Sequence, residues 1–303
     1  MAFSEVRSQR HALALIAAAA CWGLGAVASK RAVAELAPTS LLVVQLAASI
    51  TALSVVRRVV TPPTRARPST RMLALGVLNP GLAYLLSLAG LTTITAGLSV
   101  LVWALEPVFI VVLAWIILRD RIGGTTGALM VVAVCGAALA GFSGAGGLDG
   151  RGMALTAAAV LCCAVYTVGA SAWFASESNL DVVIGQQWYA LGFAVLALGL
   201  TADPQVLVDL SGVGVTGWVS AVGSGVVYYG LAFWLYLTGL RQVRTSTAAI
   251  SLSLIPVFGV AGGLVFLGER LTLLQAVGAG GVVAAVAAMG VNTTRMPSVG
   301  LGR

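Results

Sequence analysis

Charged residues are scarce in this sequence. Only 9% of its 303 residues are charged, whereas 59% are hydrophobic, and roughly 25% charged residues are usual in a soluble domain. A soluble fold of this length could not bury so much apolar surface. The net charge is +7, but the basic residues lie between hydrophobic segments, so we interpret them as signals for membrane topology and not as a nucleic-acid surface.

Residue patterns typical of enzymes and metal sites are also missing. The sequence has one histidine, and its four cysteines (Cys21, Cys135, Cys162 and Cys163) lack the spacing of a disulfide framework or a zinc site. We therefore predict that the cysteines are small apolar packing residues. No Walker loop, nucleophile elbow or His-Glu-x-x-His motif occurs. The sequence predicts neither an enzyme nor a bound metal or cofactor.

Long hydrophobic runs dominate what remains. Nine windows without a charged residue follow one another along the chain, and the third, which starts at Met72, continues past the single acid Glu106 to Leu118. That stretch is too long for one crossing of a ~30 Å hydrocarbon core, so it must hold two helices. The break is predicted at residues 90–95, where glycine and β-branched polar residues interrupt the run. A β-barrel would show short alternating segments instead. The sequence therefore predicts an all-α integral membrane protein of ten transmembrane helices.

The basic residues predict how these helices are oriented. If the N-terminus is cytoplasmic, ten crossings place thirteen Lys and Arg residues inside and four outside. This asymmetry agrees with the positive-inside rule. We expect a multi-pass protein of the cell membrane with both termini in the cytoplasm.

An internal repeat predicts the architecture. Residues 81–122 align with residues 230–271 without a gap, at an offset of 149, with 14 identities in 42 positions that include Gly81/Gly230 and Pro107/Pro256. Five helices per half is an odd number, so the second half enters the membrane from the opposite side. We predict two inverted five-helix repeats, comprising residues 1–148 and 149–303.

The repeated stretch resembles a known family. Its first copy reads LEPVFIVVLAWIILRDRI over residues 105–122, and its second reads LIPVFGVAGGLVFLGERL over residues 254–271. This pattern is similar to the ten-helix, EamA-type branch of the drug/metabolite transporter superfamily, whose fourth and ninth helices each carry a proline and end in an acid–base pair. The resemblance implies two five-helix bundles around a central cavity, alternating access, and export of metabolites, amino acids or drug-like compounds.

Glu106 is the first candidate for a functional residue because it is the only acid inside a predicted span. Ionisable groups at that depth are costly and are often functional. A carboxyl whose proton affinity differs between inward-open and outward-open states would couple transport to the proton gradient. The alternative is structural, since Glu106 could satisfy a backbone carbonyl freed beside Pro107. Its repeat partner is Ile255, so the site is expected to be chemically asymmetric.

Other candidates surround this acid. Ser99 and Trp103 share a helix face with Glu106 and form an aromatic wall that suits an aromatic or cationic solute. Pro107 and Pro256 are expected to let the fourth and ninth helices bend. The remaining mid-span polar or aromatic residues are expected to point inward, with interhelical packing as the alternative for each, and they are Trp22, Asn79, Tyr84, Tyr166, Gln187 and Tyr228.

Two pairs of repeat-related polar groups have open roles. Gln45 and Gln187 are equivalent at an offset of 142, and they either line the cavity symmetrically or make one interhelical hydrogen bond twice. The adjacent pairs Asp120–Arg121 and Glu269–Arg270 lie at opposite membrane faces, and each pairing either anchors a helix end or forms a gate.

The sequence thus predicts a secondary transporter that handles a small-molecule solute within a lipid bilayer. Three alternatives stay open at this point. Protons are a further partner only if Glu106 couples transport, and otherwise the protein is an uncoupled facilitator or exchanger. A non-transporting sensor or scaffold is a rival from another class. Ten helices allow a monomeric path and also permit a homodimer.

Overall fold

The computed structural model describes residues 2–60, 69–118, 122–141, 149–177, 180–201, 209–240 and 251–293. All regular secondary structure in these residues is helical. Nine segments among them are long and apolar enough to cross a membrane, and Ile255–Phe266 is a tenth, shorter apolar helix. We number the ten segments in chain order as spans one to ten, so that Ile255–Phe266 is span nine.

The helices follow the predicted order. They are α1 (Ala2–Ala32), α2 (Pro38–Val60), α3 (Thr70–Ala74), α4 (Ala83–Leu91), α5 (Ala96–Trp103), α6 (Glu106–Leu118), α7 (Gly124–Gly141), α8 (Gly150–Glu177), α9 (Leu180–Thr201), α10 (Val215–Ser224), α11 (Ala232–Leu240), α12 (Ile255–Phe266) and α13 (Leu273–Thr293). Span three contains α3 and α4, span four contains α5 and α6, and span eight contains α10 and α11.

The turn between spans three and four confirms the break predicted at residues 90–95. Helix α4 ends at Leu91 and α5 begins at Ala96. Thr95 caps α5, because its hydroxyl oxygen accepts a hydrogen bond from the amide of Leu98 at 3.1 Å. A β-branched hydroxyl residue therefore both ends the apolar run and starts the next helix.

Four helix interruptions occur at positions that the repeat relates in pairs. In span three, a π-helical segment occupies Leu78–Leu82, and in span eight another occupies Gly225–Leu231. In span four, a turn at residues 104–105 separates α5 from α6, and a turn at residues 253–254 precedes α12. The offset of 149 relates the members of each pair, so the two halves share backbone irregularities as well as sequence.

The two halves exchange helices with each other. Helix α1 packs against α10, α11 and α12 of the second half, whereas α8 packs against α4, α5 and α6 of the first half. These assemblies are repeat-equivalent, and we call them the 1-8-9 bundle and the 3-4-6 bundle after their spans. Helix α2 packs on α9, and α7 packs on α13. This arrangement is an inverted repeat in which each bundle takes helices from both halves.

Polar contacts at the helix ends agree with ten alternating crossings. The side chains of Arg57 and Asp181 form an ion pair at the end expected to be cytoplasmic. At the opposite end, the amide of Gly214 donates to the Glu35 carboxylate at 2.8 Å. Each contact joins two segments that the topology places on the same side of the membrane.

Small residues allow the helices of spans five and ten to touch closely. A Cβ atom added at Gly278 would lie 2.5 Å from the carbonyl oxygen of Gly136 and 2.6 Å from the amide nitrogen of Ala140. Association of helices inside a membrane depends on such close backbone approach, because lipid supplies no hydrophobic driving force.

We therefore expect Gly278→Ala to destabilise the protein by about 1–3 kcal/mol through overpacking. The control is Gly280→Ala on the same helix, because a Cβ atom there would meet nothing within 4 Å. The Tm of the purified protein in detergent should fall for the first variant and stay level or rise for the second. Equal Tm values for the two variants would contradict close packing of α7 on α13.

Candidate functional site

Glu106 lies midway along span four, at the first residue of α6. Its Oε1 atom accepts hydrogen bonds from the thiol of Cys163 and from the hydroxyl of Thr167, each at 3.3 Å. The Cys163 sulfur in turn accepts a hydrogen bond from the side-chain amide of Asn79 at 3.5 Å. The carboxylate is therefore held by side chains of α8, and the network connects spans three, four and six within the 3-4-6 bundle.

This network corrects the interpretation of Cys163 as a packing residue. That prediction is wrong for Cys163, because its sulfur bridges Asn79 and Glu106. Thr167 was missed altogether. The available signal was the spacing of the two residues, since positions four apart on a helix share one face and can bind the same partner.

Four aromatic side chains meet beside this network. Tyr84 lies 5.4 Å from Trp103, 5.5 Å from Tyr228 and 4.7 Å from Tyr229, measured between ring centroids. The Trp103 indole donates to the Ser87 hydroxyl at 2.9 Å. Tyr84 and Trp103 belong to the 3-4-6 bundle, whereas Tyr228 and Tyr229 belong to the 1-8-9 bundle. We call these four rings the bridging cluster.

Tyr229 is the member of the bridging cluster that sequence reasoning missed. In a regular α-helix, consecutive residues point about 100° apart, so Tyr228 and Tyr229 would not both be expected to face the centre. The π-helical segment Gly225–Leu231 contains both tyrosines, and both rings pack on Tyr84. This irregular segment therefore presents two consecutive rings to Tyr84.

The bridging cluster encloses a small cavity. The cavity has a volume of about 10 Å³, and Ser99 lines it together with Ser29, Ser87, Tyr84 and the two tyrosines of span eight. That space holds roughly one water molecule and is too small for an organic solute. The two bundles are thus in contact at this level.

A second aromatic group lies in the 1-8-9 bundle. Trp22 packs edge-on against Phe233 and Tyr236, with centroid separations of 5.4 Å in each case. Trp22 was among the predicted residues, whereas its two ring partners were not.

The structure places Tyr166 and Gln187 in interhelical contacts outside this group. Tyr166 donates to the Gln186 carbonyl oxygen at 2.9 Å, and the Gln186 amide donates to the backbone oxygen of Met72 at 3.0 Å. Gln187 donates to the backbone oxygen of Tyr229 at 3.1 Å. These bonds tie span seven to spans three, six and eight.

The contacts of Gln45 and Gln187 distinguish a polar cavity lining from interhelical hydrogen bonding. Both are fully buried, and Gln45 donates to the hydroxyl groups of Ser29 and Ser224 at 2.9 and 2.7 Å. Both glutamines therefore make interhelical bonds to span eight and do not form a symmetric cavity lining. Their partners differ, because Gln45 binds a side chain before the π-helical segment and Gln187 binds a backbone oxygen within it.

The two prolines follow the helix interruptions. Pro107 lies in the first turn of α6, directly after the turn at residues 104–105, and Pro256 lies in the first turn of α12, directly after the turn at residues 253–254. Proline is tolerated there because its missing N–H would have no intrahelical partner. The turn directly before Glu106 therefore has a repeat-related counterpart, but that counterpart is followed by Ile255 and not by an acid.

Comparison with known sequences now decides the family. The EamA-like transporter family matches residues 9–142 and, a second time, residues 150–291. This chain belongs to the EamA-like transporter family. The double match agrees with the internal repeat.

Two relatives extend this result. An uncharacterized transporter of Archaeoglobus fulgidus is 24% identical over 260 residues, which cover 86% of this chain and 91% of the relative. A solved crystal structure superposes with a TM-score of 0.67 at 18% identity, covering 95% of this chain and 99% of that one. The second likeness shows the fold alone. As an EamA-family member, the protein is a multi-pass membrane transporter of a small-molecule solute.

The bridging cluster allows a direct test of its internal bond. Removing either partner of the Trp103–Ser87 hydrogen bond leaves the other buried and unpaired, so we expect Trp103→Phe and Ser87→Ala to be non-additive. A double-mutant cycle, measured as free energies of unfolding in detergent, should give a coupling of about 0.5–1.5 kcal/mol. Additivity within about 0.3 kcal/mol would show that the bond does not stabilise this transporter.

Proposed function

We propose that this EamA-family transporter is a secondary exporter that works by alternating access and couples solute movement to protons through Glu106. The observation that carries the proposal is the position of this carboxylate. It lies midway along a span and is bound by donors of the 3-4-6 bundle, and Tyr84 of that bundle packs on Tyr228 and Tyr229 of the 1-8-9 bundle. A relative motion of the two bundles would therefore change its surroundings.

Coupling follows from the cost of burying charge. A carboxylate in a low-dielectric site must be neutralised, either by a proton or by a cationic group of the solute. The two neutralising partners compete for the same oxygen atoms. A proton that enters from one side and a solute that enters from the other would then exchange at Glu106, which drives the solute against its gradient.

The surrounding groups favour a cationic, aromatic solute among the metabolites, amino acids and drug-like compounds expected for the family. Glu106 offers a negative charge, and the buried Oδ1 atom of Asn79 has no hydrogen-bond partner among the described residues. Two aromatic groups flank these acceptors. Aromatic faces attract cations by about 0.5–2 kcal/mol each, depending on desolvation.

The direction and orientation are part of the proposal. The excess of basic residues at one end supports cytoplasmic termini and a location in the cell membrane. A single chain supplies both bundles and every group of the central site, which supports a complete path in each monomer. The division into residues 1–148 and 149–303 stays a prediction.

The decisive experiment uses proteoliposomes and a panel of amino acids, nucleobases and organic cations, with and without an imposed pH gradient. We expect gradient-driven accumulation for the wild type and its loss in Glu106→Gln, because the amide cannot exchange a proton. Glu35→Gln makes the same chemical change at the membrane end and should keep transport. If the uptake rate changed neither with the pH gradient nor in Glu106→Gln, the protein would be an uncoupled facilitator or exchanger.

The aromatic surroundings predict a matched pair of tryptophan variants. Trp22→Ala should raise the KM for an organic cation about 10-fold, since it removes the ring that packs on Phe233 and Tyr236 in the 1-8-9 bundle. Trp188→Ala is the control, because Trp188 is 57% exposed on the outer surface of span seven. Initial rates of cation uptake give both values, and an equal KM in the two variants would contradict a role of Trp22 in solute binding.

A further inference from the structure

The turn after α12 directs an acid back toward the first half. Gly268 has φ of 65°, a left-handed conformation that glycine adopts without strain. The amide of the next residue, Glu269, donates to the carbonyl oxygen of Gly263 at 3.1 Å. The chain therefore folds back on the end of α12, and the Glu269 side chain extends toward the start of α5.

Glu269 binds the first amides of α5. Its Oε1 atom accepts from the amide of Ala96 at 2.6 Å, and its Oε2 atom accepts from the amide of Gly97 at 3.1 Å. The first N–H groups of a helix have no intrahelical partner and carry partial positive charge, so a carboxylate stabilises them. An acid in the turn after span nine of the 1-8-9 bundle thus caps a helix of the 3-4-6 bundle.

This use of Glu269 differs from the predicted pairing with its neighbour Arg270. The ion pair between side chains that the structure shows within the described residues joins Arg57 and Asp181, and Glu269 uses both of its oxygens on α5. The repeat-related pair Asp120–Arg121 includes residues outside the described part of the chain. The role of Glu269 is therefore argued from its own contacts.

Two glycines shape the slot that receives the carboxylate. A Cβ atom at Gly97 would lie 3.2 Å from Oε2 of Glu269, and a Cβ atom at Gly263 would lie 2.9 Å from its carboxyl carbon. Both distances are shorter than ordinary van der Waals contact. The carboxylate therefore fits only because neither helix carries a side chain at these points.

Lys30 makes a second contact at the same end. Its Nζ atom donates to the carbonyl oxygen of Leu91, the last residue of α4, at 2.6 Å. Lys30 also interacts electrostatically with Glu269 and Asp149. This contact connects span one of the 1-8-9 bundle to span three of the 3-4-6 bundle.

We propose that Glu269 and Lys30 form an outer latch, which holds the two bundles together at the end predicted to face outside and must release before solute can leave there. The proposal rests on the alternating access proposed above, but it does not depend on proton coupling by Glu106. Carboxylate–amide and ammonium–carbonyl bonds suit a latch, because they are strong when dry and are replaced by water when the end opens.

The test measures access to the centre and not flux. Cys163 bonds to Glu106, so it reports on the central site once Cys21, Cys135 and Cys162 are replaced by serine. A membrane-impermeant maleimide is added to intact cells, and the rate of Cys163 labelling is measured. We expect Glu269→Ala to raise this rate about 10-fold, a shift typical for a few lost contacts in a two-state equilibrium.

Matched variants separate a latch from general loss of structure. Glu35→Ala also removes a carboxylate–amide bond at the outer end, but Glu35 and Gly214 belong to spans one and eight of the same bundle, so labelling should equal that of the parent. Glu269→Gln keeps an oxygen that accepts one amide bond, so its rate should be intermediate. Gly97→Ala crowds the carboxylate by a Cβ atom 3.2 Å away and should raise labelling without removing the acid.

Two results would overturn the latch. One is an unchanged labelling rate in both Glu269→Ala and Gly97→Ala, measured on protein that elutes as a single species. The other is an equal rise in Glu35→Ala, which would indicate that any lost bond at this end loosens the protein. The latch is tested by the rate of Cys163 labelling, whereas proton coupling is tested by gradient-driven uptake. Either proposal can therefore be contradicted while the other stands.

Discussion

The constraint on which the rest of this structure depends is that backbone N–H and C=O groups inside a bilayer must find partners within the protein. It permits helical spans and confines every interruption to places shielded from lipid. The π-helical segment Leu78–Leu82 packs on α8 and α9, and the segment Gly225–Leu231 packs on α1 and α2. The turns before Pro107 and Pro256 contain the buried residues Leu105 and Ser253, so these interruptions satisfy the condition. The same places carry Asn79, Glu106 and the tyrosines of span eight, so the irregular backbone and the polar chemistry coincide.

The fold was predictable because it follows from the order of apolar and charged residues along the chain. The charge-free windows, the break at residues 90–95 and the repeat at an offset of 149 all follow from residue types along the chain. The site was predictable where a side chain is intrinsically costly in a membrane, as for Glu106, or large and polar, as for Tyr84 and Trp103. Cys163 and Tyr229 were not predicted because their roles depend on tertiary contacts. The Cys163 thiol meets Glu106 only because α8 packs on α6, and Tyr229 meets Tyr84 only because spans three and eight approach each other.

Helix exchange explains why repeat-equivalent residues have different tasks. Since α1 packs with the second half and α8 with the first, a residue and its repeat mate meet different neighbours whenever the two sequences have diverged. Gln45 and Gln187 keep the same burial and yet bind different kinds of acceptor in span eight. The pseudo-symmetry of the backbone thus survives while the side-chain contacts diverge, which is why the offset of 142 identified the pair but not its partners.

That divergence is what a coupled transporter of this architecture requires. Two equivalent bundles can exchange inward-open and outward-open arrangements at similar free energy, because the repeat makes the two arrangements resemble each other. A solute or proton biases such an equilibrium only through contacts that differ between the two states. In the proposed mechanism Glu106 would supply such contacts, since its repeat mate is Ile255 and the acid therefore belongs to the 3-4-6 bundle alone. In the proposed mechanism, the backbone symmetry keeps the two arrangements close in free energy, and the unsymmetric acid would favour one of them when it binds a proton or a solute.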